Sequence, residues 1–410
     1  MTREVTIIAD DLTGAADSAV AFARAGMETH LSLDGTAVAA ARALAVDTDT
    51  RVETAEIAFT RTRAAAREAI RARSRVVYKK IDSTLRGHVG PEIAAVFAAA
   101  IETADVLGDR PIVLLSPAFP ALGRVVRAGR VIVDGAELEA KPIAFLASAG
   151  IAAAQVATAT NASVLAREIE RRAADGADAV VCDAESDADL QVIAEAGGQL
   201  TRPVLWAGSG GLARHLAGAL GLAVPRTSAG SDWTSSGARG PSLILVGSPS
   251  DVAQRQAAEL ARAADLTTVT VARDTLRAGE GDPAWRDAAA RIDRSLAAGR
   301  DTCVVLARAT ADEPAIDRGL ARALGRMAAV AAPIGTLIAT GGDTARAALE
   351  ARGVTRLRVW AEIEPGVPVS TTESPRPLRV VTKAGGFGDA GTLTRVRAVL
   401  RPAPAGSLAR

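Results

Sequence analysis

Residues 5–18 read Val5-Thr6-Ile7-Ile8-Ala9-Asp10-Asp11-Leu12-Thr13-Gly14-Ala15-Ala16-Asp17-Ser18. A short β-branched run, a polar turn and an Ala-rich stretch of helical spacing make one strand–loop–helix unit. The unit recurs along the chain. Apolar runs at 5–9, 75–81, 111–115, 179–183, 203–207, 242–247, 302–307, 336–340 and 378–383 alternate with longer Ala/Arg-rich stretches. Strands and helices alternating this often predict an α/β fold of mostly parallel sheets flanked by helices. In such sheets ligands bind beyond the carboxyl ends of the strands, so the informative residues are those just after each strand.

At 410 residues the chain exceeds the ~100–200 residues of one ordinary domain. Residues 223–241 (AVPRTSAGSDWTSSGARGP) are rich in Ser, Gly, Pro and Thr, have no hydrophobic period, and read as a linker. The expected domains are therefore 1–222 and 242–410. Residues 136–160 read either as a helix or as an excursion over a cleft. Apolar residues make up 49% and charged residues 23%, the profile of a globular protein with a full core. A net charge of +1 argues against a nucleic-acid partner, which calls for a basic excess. Cys182 and Cys303 each sit in an apolar run, so they read as buried strand residues, with no disulfide framework or metal spacing. Asp10 and Asp11 interrupt the N-terminus before a signal-peptide core could form, and no apolar stretch reaches 18 residues. The expectation is a cytoplasmic protein with no membrane partner.

The strand ends carry two chemically different sets. In the N-terminal half, Asp10, Asp11 and Asp17 crowd one strand-to-helix turn. One helix cap needs one acid, so the surplus suits polyol hydroxyls or a cation. If strand alternation continues through Asp10 and Asp11, at most one of them faces a ligand. A second turn, 46–51, ends on Arg51. The third, 78–90 (YKKIDSTLRGHVG), holds Lys79, Lys80, Asp82, Ser83, Thr84 and Arg86. Only four of the 48 basic residues are lysine, and two are here. Arg86 can grip a carboxylate bidentately, and Lys80 offers a point charge. An ordinary salt-bridged surface turn would not need so many polar types; His88 reads as a cap and is given no role. The 208–213 turn, GSGGLA, could seat an anion or simply pack tightly.

The C-terminal half instead shows three glycine and hydroxyl loops after strands: Gly247-Ser248-Pro249-Ser250, Gly341-Gly342-Asp343-Thr344 and Lys383-Ala384-Gly385-Gly386. One such loop would be only a tight turn. Three on one domain can wrap a polyphosphate with backbone donors. No GxxxxGK[ST] motif is present, nor a GxGxxG followed by an acid at the dinucleotide spacing, which disfavours a P-loop and a nicotinamide site.

Together IADDLTGAADSA, KKIDSTLRGHVGPEI, GSGGLA, VGSPSD, ATGGDTARA, EIEPGVP and VTKAGGFGD resemble the signature segments of the four-carbon acid sugar kinase family across essentially the whole chain. The resemblance implies an acid-sugar domain, a nucleotide domain, and an active site in the interdomain cleft. It implies ATP-dependent phosphorylation, with Mg²⁺, of the 4-hydroxyl of a small four-carbon sugar acid, D-threonate or D-erythronate ahead of a 3-oxo-tetronate. It carries sugar-acid contacts onto Asp10, Asp11, Arg51, Lys80, Asp82, Ser83 and Arg86. ATP contacts fall on Ser248, Ser250, Gly341, Gly342, Asp343, Thr344, Gly385 and Gly386. Asp82 is the first choice for the catalytic acid, since Lys80 and Arg86 beside it hold it ionised; Asp11 is second. Metal ligands are unassigned and homodimerisation is left open. An alternative of another class is a non-catalytic sensor of the sugar acid or nucleotide.

Overall fold

The computed structural model describes residues 3–36, 41–223, 233, 239–309, 318–329 and 333–401. They divide into two compact units, the first running to Ser228 and adding Arg356–Val359, the second holding the rest. Most of the 223–241 stretch read as a linker lies outside the described residues.

The strands of the first unit are β1 (Val5–Ala9), β2 (Thr29–Ser32), β3 (Ala43–Asp47), β4 (Val76–Lys80), β5 (Ile112–Ser116), β6 (Arg124–Arg127), β7 (Arg130–Val133), β8 (Ala136–Glu137), β9 (Ala153–Val156), β10 (Ala179–Cys182) and β11 (Val204–Gly208). Its main sheet runs β2-β3-β1-β4-β11-β5-β10-β9, parallel throughout, and Arg356–Val359 adds antiparallel to β2. The central strands VTIIA and IVLLS are buried along their whole length, as a sheet covered on both faces requires. The helices repeat this logic. Leu12–Arg24 is buried from Leu12 to Ala23, its small residues letting it lie close to its neighbours, whereas Ala55–Arg71 buries only Ala58, Thr62, Ala66, Ala69 and Ile70, one stripe at helical spacing. Each large side chain taken fully out of water here, Phe22, Tyr78 and Phe119 among them, contributes about 1.5–3 kcal/mol.

From β1 the chain goes to β2 and β3 on one side and to β4 on the other. The carboxyl ends of β1 and β4 thus flank a topological switch point, the place where an open α/β sheet leaves room for a ligand.

The second unit contains β12 (Ser242–Val246), β13 (Thr267–Val271), β14 (Thr302–Leu306), β15 (Thr336–Thr340), the end of β16 (Arg356–Glu362), β17 (Pro368–Thr372) and β18 (Arg379–Lys383). Its order is β13-β14-β12-β15-β18-β17-β16, with β17 antiparallel to β18. Ile244, Val246, Ile338 and Val381 of the sheet pack with Ala253, Ala257 and Leu260 of the Asp251–Leu260 helix and Val396 of the Thr392–Leu400 helix. A switch point recurs between β12 and β15. The loops after β12, β15 and β18, three adjacent strands, are the three glycine loops of the sequence.

The 136–160 stretch that the sequence left unassigned resolves into β8, the helix Pro142–Ser148 and β9. With β6 and β7, β8 forms a separate three-stranded meander. Cys182 and Cys303 are buried in strands as expected, and burial pushes both thiols up to about 12.

Candidate active site

In the first unit the turns after β1, β3 and β4 meet. Strand β1 stops at Ala9, so Asp10 and Asp11 fall in the turn rather than on the pleat. Asp11 is the N-cap of the Leu12–Arg24 helix, its Oδ1 accepting the Gly14 amide at 2.9 Å and its Oδ2 the Thr13 hydroxyl at 2.6 Å. Both acids reach one guanidinium. Arg51 donates from Nε and Nη2 to the two oxygens of Asp10 at 2.7 and 2.8 Å, and its Nη1 lies 2.7 Å from Asp11 Oδ2. The alternation expected from strand geometry therefore fails here, because the chain leaves the pleat one residue too early.

Asp82 and Arg86 form a second pair. Arg86 Nη2 and Nε donate to the carboxylate at 2.6 and 3.2 Å, the Thr84 amide and hydroxyl add two more bonds, and Arg51 Nη1 stands 3.8 Å away. Burial opposes the ionisation of Asp82, but Arg51, Arg86 and Lys80 outweigh it and hold the carboxyl well below the usual range. Asp10 behaves likewise: burial raises it, yet Arg51 and then Lys79 bring it below its ordinary value. Asp82 is ionised, as its neighbours in the sequence suggested.

The two lysines of β4 point to different tasks, as consecutive strand residues must. Lys79, 1% exposed, is bound at 2.9 Å to Glu92, itself buried. Lys80 is 5% exposed, and its ammonium makes no hydrogen bond or ion pair among the described residues. It lies where a methyl on Gly14 would come within 2.9 Å of Nζ and 2.6 Å of Asp11 Oδ1, so Gly14 is what lets the two tips pass. Among these cations Lys80 is the one whose charge the protein does not already engage by direct contact. Ser83 is buried in the same turn.

Asp17 and His88 stand apart. Asp17 is buried with its carboxylate against Gly210, where an added methyl would be 2.1 Å from Oδ2. The start of the Gly210–Ala219 helix is thus occupied by a side chain of the protein itself, which leaves GSGG a packing turn. His88 Nε2 is 2.6 Å from the Glu53 carbonyl oxygen. Sequence reasoning missed Arg124, at the start of β6. Burial pulls its guanidinium below the ordinary value against the attraction of Asp134, Asp82 and Asp17, with Arg86 repelling it, so it belongs to the same electrostatic field. A lone arginine directly after the SPAFPALG turn was the available signal.

In the second unit the three glycine loops interlock. A methyl on Gly247 would stand 2.1 Å from Thr344 Oγ1, and one on Gly385 would stand 1.9 Å from Ser248 Oγ. Gly341 takes φ +93° and precedes the Gly342–Glu350 helix without a side-chain cap. The amides of Gly342, Asp343 and Thr344 meet no acceptor among the described residues. Ser250 is committed to structure: its hydroxyl donates to the Gly385 carbonyl at 2.7 Å and accepts from the Ala253 amide at 3.2 Å. Asp343 pairs with Arg318 at 3.1 Å. Uncapped amides at a helix start and glycines at the close approaches are the kind of donors that phosphate oxygens accept from. No cluster of three or more potential metal ligands occurs among the described residues, and no helix there is long and apolar enough to cross a membrane.

One unit offers side-chain charges for a small polyol acid; the other offers backbone donors for phosphates. Known proteins divide in the same way. Residues 5–216 match the family described as sugar-binding N-terminal domain, and residues 243–393 the nucleotide-binding C-terminal domain. A D-threonate kinase of Cupriavidus necator is 37% identical, the match covering 94% of this chain and 95% of that protein. A D-threonate kinase of Bordetella bronchiseptica is 34% identical, covering 97% of each. A 3-oxo-tetronate kinase of Methylobacterium radiotolerans is 30% identical, covering 95% of this chain and 97% of that one. The chain belongs to the four-carbon acid sugar kinase family. A solved structure from Salmonella typhimurium LT2 shares the fold at a TM-score of 0.78 and 21% identity, covering 97% of this chain and 99% of its own.

Proposed function

We propose that this protein transfers the γ-phosphoryl group of ATP to the 4-hydroxyl of a four-carbon sugar acid, with D-threonate as the preferred substrate. The observation that carries the reading is the coexistence, in one chain, of the charged cluster around Lys80 and three interlocked glycine loops with free amides. The names of the relatives at 37% and 34% identity support D-threonate over a 3-oxo-tetronate. A sensor could bind both ligands, but it has no need of several preorganised carboxylates around one cation.

ATP, as its Mg²⁺ complex, supplies the transferable phosphoryl group when bound. The residues present fit it through backbone donors: Ser248, Gly341, Gly342, Asp343, Thr344, Gly385 and Gly386 would hold the nucleotide phosphates, with Ser250 shaping the loop. In the first unit, Lys80 takes the substrate carboxylate, with Arg86 at its more exposed flank, and Asp10, Arg51 and Ser83 orient the hydroxyls. The proton of the 4-hydroxyl needs a carboxylate acceptor. Read from the sequence, Asp82 ranks ahead of Asp11 for this role, and its hydrogen bonds favour the reverse. Asp82 already accepts four donors and is held well below the ordinary range, which makes it a poor base and a good anchor. Asp11 accepts one donor fewer, from Thr13, Gly14 and Arg51, and its side chain is 14% exposed against 9% for Asp82.

ADP release followed on D-threonate, D-erythronate, L-threonate and 3-oxo-tetronates tests the reading. It expects the highest kcat/KM on D-threonate; preference for a 3-oxo acid would move the substrate, and no ADP release on any of them would sink the kinase reading.

A further inference from the structure

Lys383 is a buried cation to which the reading above gives no role. It ends β18, is 1% exposed, and makes no ion pair among the described residues. Its ammonium instead donates to three backbone carbonyls of the loop that follows: Ala384 at 2.8 Å, Gly385 at 3.3 Å and Phe387 at 2.9 Å. The peptide unit is planar and trans, so a carbonyl turned towards the ammonium sends the next residue's N–H the other way. The amides of Gly385, Gly386 and Gly388 accordingly point away from Lys383, and none meets an acceptor among the described residues. The loop is held from outside as well: Ser250 grips the Gly385 carbonyl at 2.7 Å, and Gln256 Nε2 donates to the carbonyls of Phe387 and Asp389 at 3.0 and 2.7 Å.

We propose that Lys383 is a positioning residue for the nucleotide phosphates, turning the carbonyls of Ala384, Gly385 and Phe387 inward so that the following amides face outward as an anion cradle. This deepens the nucleotide-binding reading of the second unit and rests on it. A second consequence follows from charge. Three carbonyl dipoles satisfy the donors of Lys383 but do not neutralise it, and a buried ammonium without a counter-ion is costly. Burial alone pushes it down to about 7. The acids on surrounding elements are engaged elsewhere: Asp343 with Arg318 at 3.1 Å, Asp251 with Arg308 at 3.0 Å, and Asp389 and Glu364 with Arg395. A phosphate seated on the outer face of the loop supplies the missing negative charge and draws a proton onto Lys383.

The test is calorimetric titration of ATP into the full chain at pH 8, in two buffers of different ionisation heat. At that pH ATP is essentially deprotonated, and burial leaves part of Lys383 as a neutral amine with only two N–H donors for the three carbonyls; a bound phosphate restores the ammonium and its third bond, so binding is expected to take up to about one proton by linkage. Lys383→Met should abolish the uptake and raise the KM for ATP at least tenfold, leaving the KM for D-threonate within about twofold. ATP binding to the unaltered protein with no proton uptake overturns the role of Lys383 while leaving nucleotide binding intact. Absence of any ATP binding removes both. The measurement on the unaltered protein decides the matter even if Lys383→Met does not fold.

Discussion

The two candidate sites sit in the same place on their sheets, at a switch point beyond the carboxyl ends of parallel strands, yet they are built from opposite materials. In the first unit three carboxylates and two guanidiniums lock one another, Arg51 alone touching Asp10 and Asp11 and nearing Asp82. In the second the contacts are backbone amides and glycines, with one lysine beneath them. The contrast follows from the ligands. A polyol acid differs from its stereoisomers only in where hydroxyls stand, and fixed side chains can read that. A phosphate chain is a repeated anion, for which amides at a helix start suffice.

The largest expected effect separates the two carboxylates of the first site. Asp11→Asn should lower kcat by about 10²–10⁴, the range for loss of a general base, with little change in substrate affinity. Asp82→Asn should instead act mainly on KM for the sugar acid. Steady-state kinetics with both variants checks this, and a kcat collapse confined to Asp82→Asn returns the base role to Asp82.

Next is Arg51→Met, which strands buried carboxylates. Removing one partner of a buried pair costs about 3–5 kcal/mol of folding stability, so the thermal midpoint should drop, and kcat/KM for D-threonate should fall as Asp10 and Asp11 lose the guanidinium that positions them. ATP affinity should stay within about twofold. Equal loss of both ligands would break the division between the sites.

Gly385→Val probes the other side of the comparison. Its first methyl already meets Ser248 Oγ at 1.9 Å, whereas nothing lies within 4 Å of one on Gly386. We expect the valine to raise the KM for ATP at least tenfold with D-threonate binding preserved, and Gly386→Ala to leave the thermal midpoint unchanged. A change confined to the sugar acid would contradict the assignment.

The smallest effect is Arg86→Lys. It keeps the charge but loses the planar fork on Asp82, and a hydrogen bond to a charged group is worth about 1.5–3 kcal/mol. A loss of roughly tenfold in kcat/KM should result, smaller for a neutral four-carbon polyol than for the acid. Identical losses would make Arg86 purely structural.

These contrasts show what local sequence could and could not convey. Strand ends were legible because a run such as VTIIA is apolar throughout and the turn after it is not, and that located Asp10, Lys80, Gly341 and Gly385. Side-chain direction was not legible at Asp10 and Asp11, because it depends on where β1 ends, and one residue decides it. The meander of β6, β7 and β8 escaped notice because its strands are short and partly exposed, with no long apolar run. Arg124 escaped with it. Lys79 and Lys80 are chemically alike in the sequence; only the position of Glu92, on the Val89–Glu102 helix, ties one into an ion pair and not the other. Lys383 could be flagged as one of four lysines, but its task is visible only once the carbonyls around it are placed.

The central claim is phosphoryl transfer to the terminal hydroxyl of a four-carbon acid, and ³¹P NMR of the products formed from ATP and D-threonate tests it most directly. The account predicts a phosphate-monoester signal coupled to the C4 methylene protons, appearing one for one with ADP. ADP accompanied only by inorganic phosphate, or an ester at another carbon, would contradict it.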